Sequence, residues 1–308
     1  MMTRRTEHLK GMVLMTGAGL SWSTGGILIR STTLTGAWEV VFWRALFMTI
    51  FVNVFLILRY RGRILTQISA VGGPGIMSGM LLASAFFFFI LSVMRTTVAN
   101  ALVLMSISPF ITALFGRLFL GEPVPRRTYM AMTGGLIGIA IMFADALGAG
   151  SLSGNLLAFG VPLVFGANVV LLRQRSATVD MVPTVLLAGL IAVTVALPLS
   201  WPLTASWHDI GVLAIMGFFQ LGLGCVLLTL AVPHLSAAEI GLLSLLETTL
   251  GPVWVWLGIG ERPSDPALLG GVVVVGSLVL NQLAGLRSTM RLPALAPAPQ
   301  PQKTKKSA

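Results

Sequence analysis

The segments LFLGEPVP (118–125) and WLGIGERPS (256–264) each place a Gly-Glu pair directly after one long apolar run and directly before another. Their glycines, Gly121 and Gly260, are 139 positions apart. Helix ends collect glycine because it tolerates positive φ, and proline follows because it cannot continue a helix. One such turn carries little information, but two nearly identical turns in one chain point to an internal repeat.

The two halves of the chain align around these turns. A shift of 143 positions superposes the opening segments, and a shift of 139 superposes the later ones. The identical pairs are Gly11/Gly154, Leu14/Leu157, Gly17/Gly160, Leu20/Leu163, Leu28/Leu171 and Arg30/Arg173, then Leu91/Leu230, Ala99/Ala238, Leu104/Leu243, Gly121/Gly260 and Glu122/Glu261. The two quoted turns are therefore the same corner of a duplicated unit.

Composition predicts a membrane protein. Of the 308 residues, 56% are hydrophobic and 10% are charged, whereas about a quarter of the residues of a soluble protein are charged. Apolar runs close to the roughly 20 residues that a helix needs to cross a bilayer recur along the chain. Ten runs lie at about 9–30, 36–58, 72–94, 97–119, 127–145, 154–173, 181–201, 208–231, 236–258 and 266–286. Alternating ten-residue strands are absent from the sequence, so the spans are predicted to be helices.

Each unit contains five apolar runs, and an odd number places the second copy upside down relative to the first. The predicted architecture is all-α, with ten transmembrane helices as two inverted five-helix repeats. The expected domains are a cytoplasmic N-terminal tail (1–8), the first repeat (9–145), the second repeat (154–286) and a disordered basic C-terminal tail (287–308). Inverted repeats are typical of secondary transporters, whose substrate site lies near the membrane midplane where the repeats meet.

The basic residues follow this topology. With the N-terminus in the cytoplasm, 16 of the 20 basic residues lie on the cytoplasmic side, Arg30, Arg95 and Arg262 lie on the other side, and Arg44 lies within a span. This positive-inside bias predicts a multi-pass protein of the bacterial inner membrane with both termini in the cytoplasm. It also accounts for the formal charge of +10 without a nucleic-acid partner.

Several kinds of site are not expected. Cys225 is the one cysteine, and His8, His208 and His234 have no close Cys or His partner in the sequence, so neither a disulfide nor a metal site is predicted. No phosphate-binding loop ending in Gly-Lys-Ser/Thr is present, and no extramembrane segment is long enough for a nucleotide-hydrolysing domain. No cofactor is therefore expected, and a compact ten-helix unit can work as a monomer in the lipid bilayer.

The two Gly-Glu corners, each closing the fourth helix of a five-helix repeat, resemble those of EamA-type members of the drug/metabolite transporter superfamily. The resemblance covers about residues 10–286 and is carried by the two quoted segments. The usual Glu-Pro of the ninth helix is here Glu247-Thr248, with the proline displaced to Pro252. The resemblance implies a secondary exporter, most similar to bacterial exporters of aromatic amino acids, and it implies aromatic and other hydrophobic amino acids as substrates.

Ionisable residues inside the spans are functional candidates, because each costs on the order of 3 kcal/mol at the bilayer centre. Glu39 and Arg44 lie about 140° apart on the second helix, so their partners are expected on other helices, and a structural role is favoured. Glu239 and Glu247 share one broad face of the ninth helix. Both are candidates for proton coupling, and Glu247 is also a candidate counter-charge for a substrate ammonium. A carboxyl group that only helps to pack helices is the alternative.

The other substrate-binding candidates are aromatic or polar residues deep in the spans. Besides Glu247, they are Trp22, Phe87, Asn100, Ser108, Asn168, Gln220 and Ser244. Phe87 belongs to a run of four phenylalanines, of which at least half must face lipid or other helices. Each polar candidate has the alternative role of a hydrogen-bond partner between helices.

Pro109 in the fourth helix and Gly251 with Pro252 in the ninth are hinge or gating candidates. Proline removes a backbone hydrogen bond in mid-span and bends or loosens the helix. A kinked packing helix is the competing interpretation. The near-symmetric placement of these residues in the two repeats favours gating.

Three classes of function fit the sequence. Apart from Arg44 the basic residues lie at or near span ends, which disfavours phosphorylated solutes and favours neutral or zwitterionic ones. An exporter of amphipathic metabolites, with apolar drugs as a broader alternative, is the favoured interpretation. The second is an intramembrane enzyme in which Glu247 acts with Ser244 or Asn168, although no catalytic residue is assigned. The third is a passive channel.

Overall fold

Every regular element in the computed structural model of this chain is a helix, within the residues that it describes. The described residues are 2–96, 98–144, 151–260 and 264–290. The predicted all-α class is therefore confirmed. Glu261 and Arg262 of the second quoted turn, and residues 291–308 of the predicted tail, lie outside the described residues.

The helices cover the ten predicted apolar runs, although α1 begins seven residues and α4 eight residues before the predicted start. In chain order they are α1 (Met2–Ser23), α2 (Gly25–Arg30), α3 (Ala37–Tyr60), α4 (Ile64–Val93), α5 (Val98–Met105), α6 (Ser108–Leu120), α7 (Arg126–Met142), α8 (Leu152–Arg175), α9 (Pro183–Leu199), α10 (Trp207–Ile215), α11 (Gly224–Ala231), α12 (Ala237–Ile259) and α13 (Asp265–Met290). A π-helical segment (Met216–Leu223) joins α10 to α11, and a short 3₁₀ turn (Val232–His234) follows α11.

These helices form ten spans. Span 1 is α1 with α2, span 4 is α5 with α6, and span 8 is α10, the π segment and α11. Spans 2, 3, 5, 6, 7, 9 and 10 are α3, α4, α7, α8, α9, α12 and α13. Seven helical segments of the described chain are long and apolar enough to cross a membrane. The other three spans are shorter: α9 and Asp265–Asn281 are shorter apolar helices, and α7 has 17 residues.

The packing of the spans repeats when the two halves are exchanged. α3 packs on α9, α6 packs on α12 and α7 packs on α13, and each of these contacts joins equivalent spans of the two repeats. α4 packs on α8 and α9, while the equivalent span 8 packs on α1 and α3 through α11 and the π segment. The fold therefore consists of two five-helix repeats related by a pseudo-twofold axis.

Contacts at the helix ends establish the inversion. His8, near the start of α1, contacts Glu239 at 3.0 Å. Arg173, near the end of α8, donates a hydrogen bond to the Leu235 carbonyl just before α12. Span 1 thus begins at the face where its equivalent, span 6, ends. We call this the N-terminal face.

The two glycine corners lie on opposite faces. Gly121 (φ 66°) and Gly260 (φ 78°) both adopt the left-handed conformation that ends a helix and that glycine tolerates best. The Glu122 carboxylate accepts a hydrogen bond of 2.9 Å from the N–H of Ala237, the first residue of α12, whereas Gly260 follows the last residue of α12. The corner predicted from the sequence is therefore duplicated and inverted.

The two proline sites differ. Span 4 is interrupted at Ser106 and Ile107, just before Pro109. Proline has no N–H to donate to the Met105 carbonyl, and the Ser108 hydroxyl donates a hydrogen bond of 2.6 Å to that carbonyl instead. By contrast, α12 continues through Pro252 without interruption. The symmetric pair of loosened helices expected from the sequence is present in this structure only on the span 4 side.

The domain bounds stay predictions, although helix α1 already begins at Met2, inside the segment predicted as an N-terminal tail, and α13 continues to Met290.

Candidate substrate cavity

A cavity lies at the centre of the bundle, between the two repeats. It encloses about 690 Å³ of empty space, counting the solvent at its mouth. Its walls are Trp22, Arg44, Leu82, Ala85, Phe86, Phe89, Met105 and Ser108 from the first repeat, and Val161, Phe165, Gln220, Leu221, Cys225, Leu228, Ser244 and Glu247 from the second.

Most of the wall obeys the internal repeat. The shift of 143 relates Trp22 to Phe165, and the shift of 139 relates five further pairs of wall residues. These pairs are Leu82/Leu221, Phe86/Cys225, Phe89/Leu228, Met105/Ser244 and Ser108/Glu247. Equivalent positions of the two repeats therefore face each other across the pseudo-twofold axis, which is where transporters with inverted repeats place their substrate.

Five of the eight predicted substrate-binding residues line this cavity: Trp22, Ser108, Gln220, Ser244 and Glu247. Phe87, Asn100 and Asn168 do not line it. A binding role stays a prediction for all eight, because no substrate is present to test it.

Phe87 points away from the cavity, and its two neighbours in the run take its place. Its ring packs against Trp38 with centroids 5.7 Å apart, whereas Phe86 and Phe89 line the cavity. Residues three apart share one face of a helix, so two members of a four-residue run can face inward together. The sequence showed that the run must be divided but not where.

Asn168 and Asn100 are engaged in hydrogen bonds between or within spans. The buried Asn168 accepts a hydrogen bond of 2.6 Å from Ser78 of α4. The Asn100 amide donates to Thr96 at 3.4 Å, and Thr96 in turn donates to Asn155 of α8 at 2.7 Å. These contacts fit the alternative role of helix packing.

Arg44 is a cavity residue that the sequence analysis did not assign to the site. It is only 3% exposed, and its Nη2 donates a hydrogen bond of 2.9 Å to the side-chain oxygen of Gln220. Its guanidinium carbon lies 6.0 Å from the centroid of the Phe89 ring. Its Nε has no hydrogen-bond partner among the described residues. The expected partner on another helix is therefore Gln220.

Glu247 faces the same cavity from α12. Its side chain forms no hydrogen bond and no ion pair with the described residues, Arg44 included. Ser244, one turn before Glu247, donates to the Gly241 carbonyl of its own helix at 2.7 Å. The cavity thus contains one basic and one acidic side chain that do not contact each other.

The second proton-coupling candidate, Glu239, lies at the N-terminal face and not in the cavity. It forms a capping box with Ser236 at the start of α12, and it also contacts His8 at 3.0 Å. Its carboxylate is fully engaged in capping and in this contact.

The hinge candidates occupy different surroundings. Pro109 directly follows the wall residue Ser108 at the start of α6. Pro252 borders an apolar groove between α12 and α13, away from the cavity, and Gly251 precedes it. Two residues further along α12, the Trp254 indole N–H donates a hydrogen bond of 2.7 Å to Ser23 at the end of α1.

Polar contacts join the spans at both faces. At the N-terminal face, Arg173 pairs with Glu122 at 2.5 Å and Tyr60 donates to Asp180 at 2.6 Å. Burial raises the pKa of Asp180, but hydrogen bonds from Tyr60, from the Val182 N–H and from Arg59 outweigh it and hold the pKa below its usual value.

At the opposite face, Glu39 accepts hydrogen bonds of 2.7 Å from the N–H groups of Thr204 and Ala205. Asp209 accepts hydrogen bonds of 2.7 and 2.9 Å from the N–H and the hydroxyl of Thr33. Glu39 thus has partners in the segment between α9 and α10, outside its own helix, whereas the sequence placed them on other helices. Among the described residues, no group of three His, Cys, Asp or Glu side chains is suited to hold a metal ion.

A ten-span bundle of two inverted repeats, with a cavity at their interface, is typical of secondary membrane transporters. Residues 9–144 and 152–283 match the EamA-like transporter family, and the chain belongs to that family. The resemblance seen in the two Gly-Glu corners is therefore confirmed.

Known relatives agree with this assignment. The chain is 30% identical over 276 residues to the "Pseudopaline exporter CntI" of two Pseudomonas aeruginosa strains, covering 86% of this chain and 93% of the relative. A solved crystal structure of a protein superposes with a TM-score of 0.78 at 16% identity, covering 92% of this chain and 99% of the other, and it supports the fold alone. The family and the named relative are transporters, so this is a multi-pass membrane protein of a transporter family.

Proposed function

We propose that this protein exports small amphipathic metabolites from the cytoplasm across a bacterial inner membrane, with both of its termini in the cytoplasm. The observation that carries the proposal is the central cavity whose wall is built from equivalent positions of two inverted repeats. Such a site can open to either side of the membrane when the two halves exchange conformations.

Aromatic and other hydrophobic amino acids are the proposed substrates. Trp22, Phe86, Phe89 and Phe165 supply apolar and aromatic wall, and the rings of Trp22 and Phe165 meet edge to face with centroids 6.3 Å apart. Polar side chains occupy the same cavity, so it suits a solute that is polar at one end and apolar at the other.

The polar contacts at the two faces support alternating access. Arg173 with Glu122 holds spans 6 and 4 together at the N-terminal face, and Glu39 with Thr204 holds spans 2 and 7–8 together at the opposite face. Opening of either face requires that its own contacts separate while those of the other face hold.

Glu247 is the proposed proton-coupling group. It is the carboxyl group that lines the cavity. The charged, titratable or hydroxyl side chains that share the wall with it are Arg44, Ser108, Cys225 and Ser244. Proton and substrate ammonium would then compete for one carboxylate, which couples their movements. Glu239 stays a weaker candidate because its carboxylate caps α12.

The relative suggests a second candidate cargo. Because a 30% identical relative is named a pseudopaline exporter, pseudopaline or another small metabolite is the alternative substrate for the same cavity.

Counterflow in proteoliposomes tests these proposals. Vesicles loaded with unlabelled phenylalanine are expected to accumulate labelled phenylalanine transiently, because a carrier exchanges solutes across its alternating site. Absence of saturable flux of phenylalanine, methionine and threonine would reject the amino acid proposal, and flux of pseudopaline alone would favour the second candidate.

The same assay addresses the competing classes. A channel would show flux without acceleration by solute on the other side, and an enzyme would convert lipid extracts to product without any flux. The variant Thr194→Ala is a suitable control, since Thr194 lies on the exposed surface of α9 and its hydroxyl bonds only the Leu190 carbonyl of its own helix.

A further inference from the structure

We propose that the cavity recognises both charged groups of a zwitterionic solute. Arg44 binds the carboxylate of the solute, and Glu247 binds its ammonium group. The proposal rests on the proposed transport function and specifies its substrate class. Arg44, which the sequence left outside the site, becomes a specificity-determining residue.

The first support is the incomplete hydrogen bonding of Arg44. A guanidinium group offers five N–H donors in a planar fork that matches a carboxylate. In this structure Nη2 is bound by a neutral amide oxygen, that of Gln220, and Nε has no partner among the described residues. Because Arg44 is 3% exposed and unpaired buried charge is costly, an anionic group in the cavity would complete its shell.

The second support is the way in which span 8 holds Arg44 in place. Gln220 belongs to the π segment, and π segments inside helices often occur at functional sites. A side chain at Gly217 would collide with the Arg44 carbonyl and with Phe47, and one at Gly222 would collide with Phe51. These two glycines let the π segment approach α3 closely, so that Gln220 reaches the guanidinium group.

The third support is Glu247 on another wall of the same cavity. It is an unpaired carboxyl group among the described residues, as set out above. Its equivalent in the first repeat is Ser108, and Arg44 and Gln220 have no equivalent in the wall. The wall residues that are paired by the repeat form a mostly apolar enclosure. The charged groups Arg44 and Glu247 are not related by the repeat, so a solute with two opposite charges is held in one orientation.

A solute with only one of these charges leaves the other protein charge without a partner. Leaving a buried polar or charged group unsatisfied costs about 1 to 3 kcal/mol, which corresponds to about 5- to 150-fold in affinity. The cavity should therefore reject amphipathic solutes that share the ring of phenylalanine but lack one of its charges.

Competition against labelled phenylalanine in proteoliposomes tests the inference with three compounds of the same ring. Phenylalanine carries both charges, phenylalaninamide keeps only the ammonium group, and N-acetylphenylalanine keeps only the carboxylate. Both single-charge analogues are expected to compete about 5- to 150-fold more weakly than phenylalanine. Competition by either analogue as strong as that of phenylalanine would overturn the inference, and this result requires no variant protein.

Two variants then assign the charges. In Arg44→Gln the preference for phenylalanine over phenylalaninamide should disappear, while the preference over N-acetylphenylalanine remains. In Glu247→Gln the pattern should be reversed. Loss of both preferences in each variant would assign these residues a structural role and contradict the inference. If phenylalanine is not carried at all by the wild type, the proposed function fails; if it is carried without these preferences, only the inference fails.

Discussion

The two halves of the cavity wall occupy equivalent positions but carry different chemistry. Ser108 in span 4 and Glu247 in span 9 are related by the 139-residue shift, and both line the cavity. The Ser108 hydroxyl donates a hydrogen bond to the Met105 carbonyl, next to the break in span 4. Glu247 lies in a continuous helix, and its carboxyl group has no hydrogen-bond partner among the described residues. Duplication therefore determined where the wall lies, and later divergence determined what it can bind.

The backbone of the two repeats differs in the same regions. Span 4 is interrupted and span 9 is continuous; span 1 is divided at Thr24 while span 6 is a single helix of 24 residues. Inverted repeats produce alternating access when the halves adopt unequal conformations and exchange them. The unequal helices of this structure are one such arrangement.

The largest expected difference between the two halves concerns proton coupling. Glu247→Gln should abolish the pH-driven component of transport, since the amide cannot carry a proton. Exchange between phenylalanine pools should persist at saturating phenylalanine, with a half-saturation concentration about 5- to 150-fold higher because the ammonium group loses its counter-charge. Ser108→Ala, at the equivalent position, should retain both. Uptake driven by a pH gradient and exchange at equal pH measure the two components. Loss of exchange as well, even at saturating phenylalanine, would point to a structural role for Glu247.

The prolines provide the next largest effect. Pro109→Ala should favour a continuous span 4 and slow counterflow by about tenfold or more, because proline disfavours a helix interior by about 3 kcal/mol. Pro252→Ala changes a helix that is already continuous, so it should not alter the conformation of this structure. It should slow exchange if span 9 loosens when the cavity opens to the other face. Counterflow rates measure both. Wild-type rates in both variants would exclude these prolines as hinges.

The aromatic pair across the axis should show a smaller effect. Trp22→Leu and Phe165→Leu each keep the apolar volume but remove an aromatic contact worth about 0.5 to 1.5 kcal/mol, so the half-saturation concentration for phenylalanine should rise about 2- to 13-fold. That for methionine should rise less. An equal rise for both solutes would indicate a change in packing and not in recognition.

The smallest effect should come from the N-terminal face. Because the pKa of Asp180 is lowered in the folded protein, its carboxylate contributes stability above its unfolded pKa of about 3.9, and this is lost as pH falls through the lower folded value. Asp180→Asn should unfold at a temperature a few degrees lower at pH 7 and approach the wild type below pH 4. Thermal unfolding in detergent at both pH values measures this. A difference that persists at low pH would assign the loss to packing.

The fold could be predicted from the sequence because ten long apolar runs and two glycine corners leave few alternatives. The site was only partly predictable. The 143-residue shift relates the predicted site residue Trp22 to Phe165, so the repeat carries a signal for this second wall residue. The sequence predicts Phe87 in the site in place of Phe86 and Phe89, because a helix that is apolar all round does not show which side faces inward. Arg44 meets Gln220 through a π segment, and no sequence pattern predicts that segment.

Labelling of Ser244→Cys with a membrane-impermeant thiol reagent, applied in turn to each face of sealed vesicles, tests most directly whether one cavity serves both compartments. Because Cys225 lines the same cavity, Ser244→Cys is combined with Cys225→Ser, and Cys225→Ser alone measures the background. Labelling from either side, with phenylalanine changing the ratio of the two rates, is predicted. Labelling from one side alone, whatever solute is present, would contradict an alternating cavity.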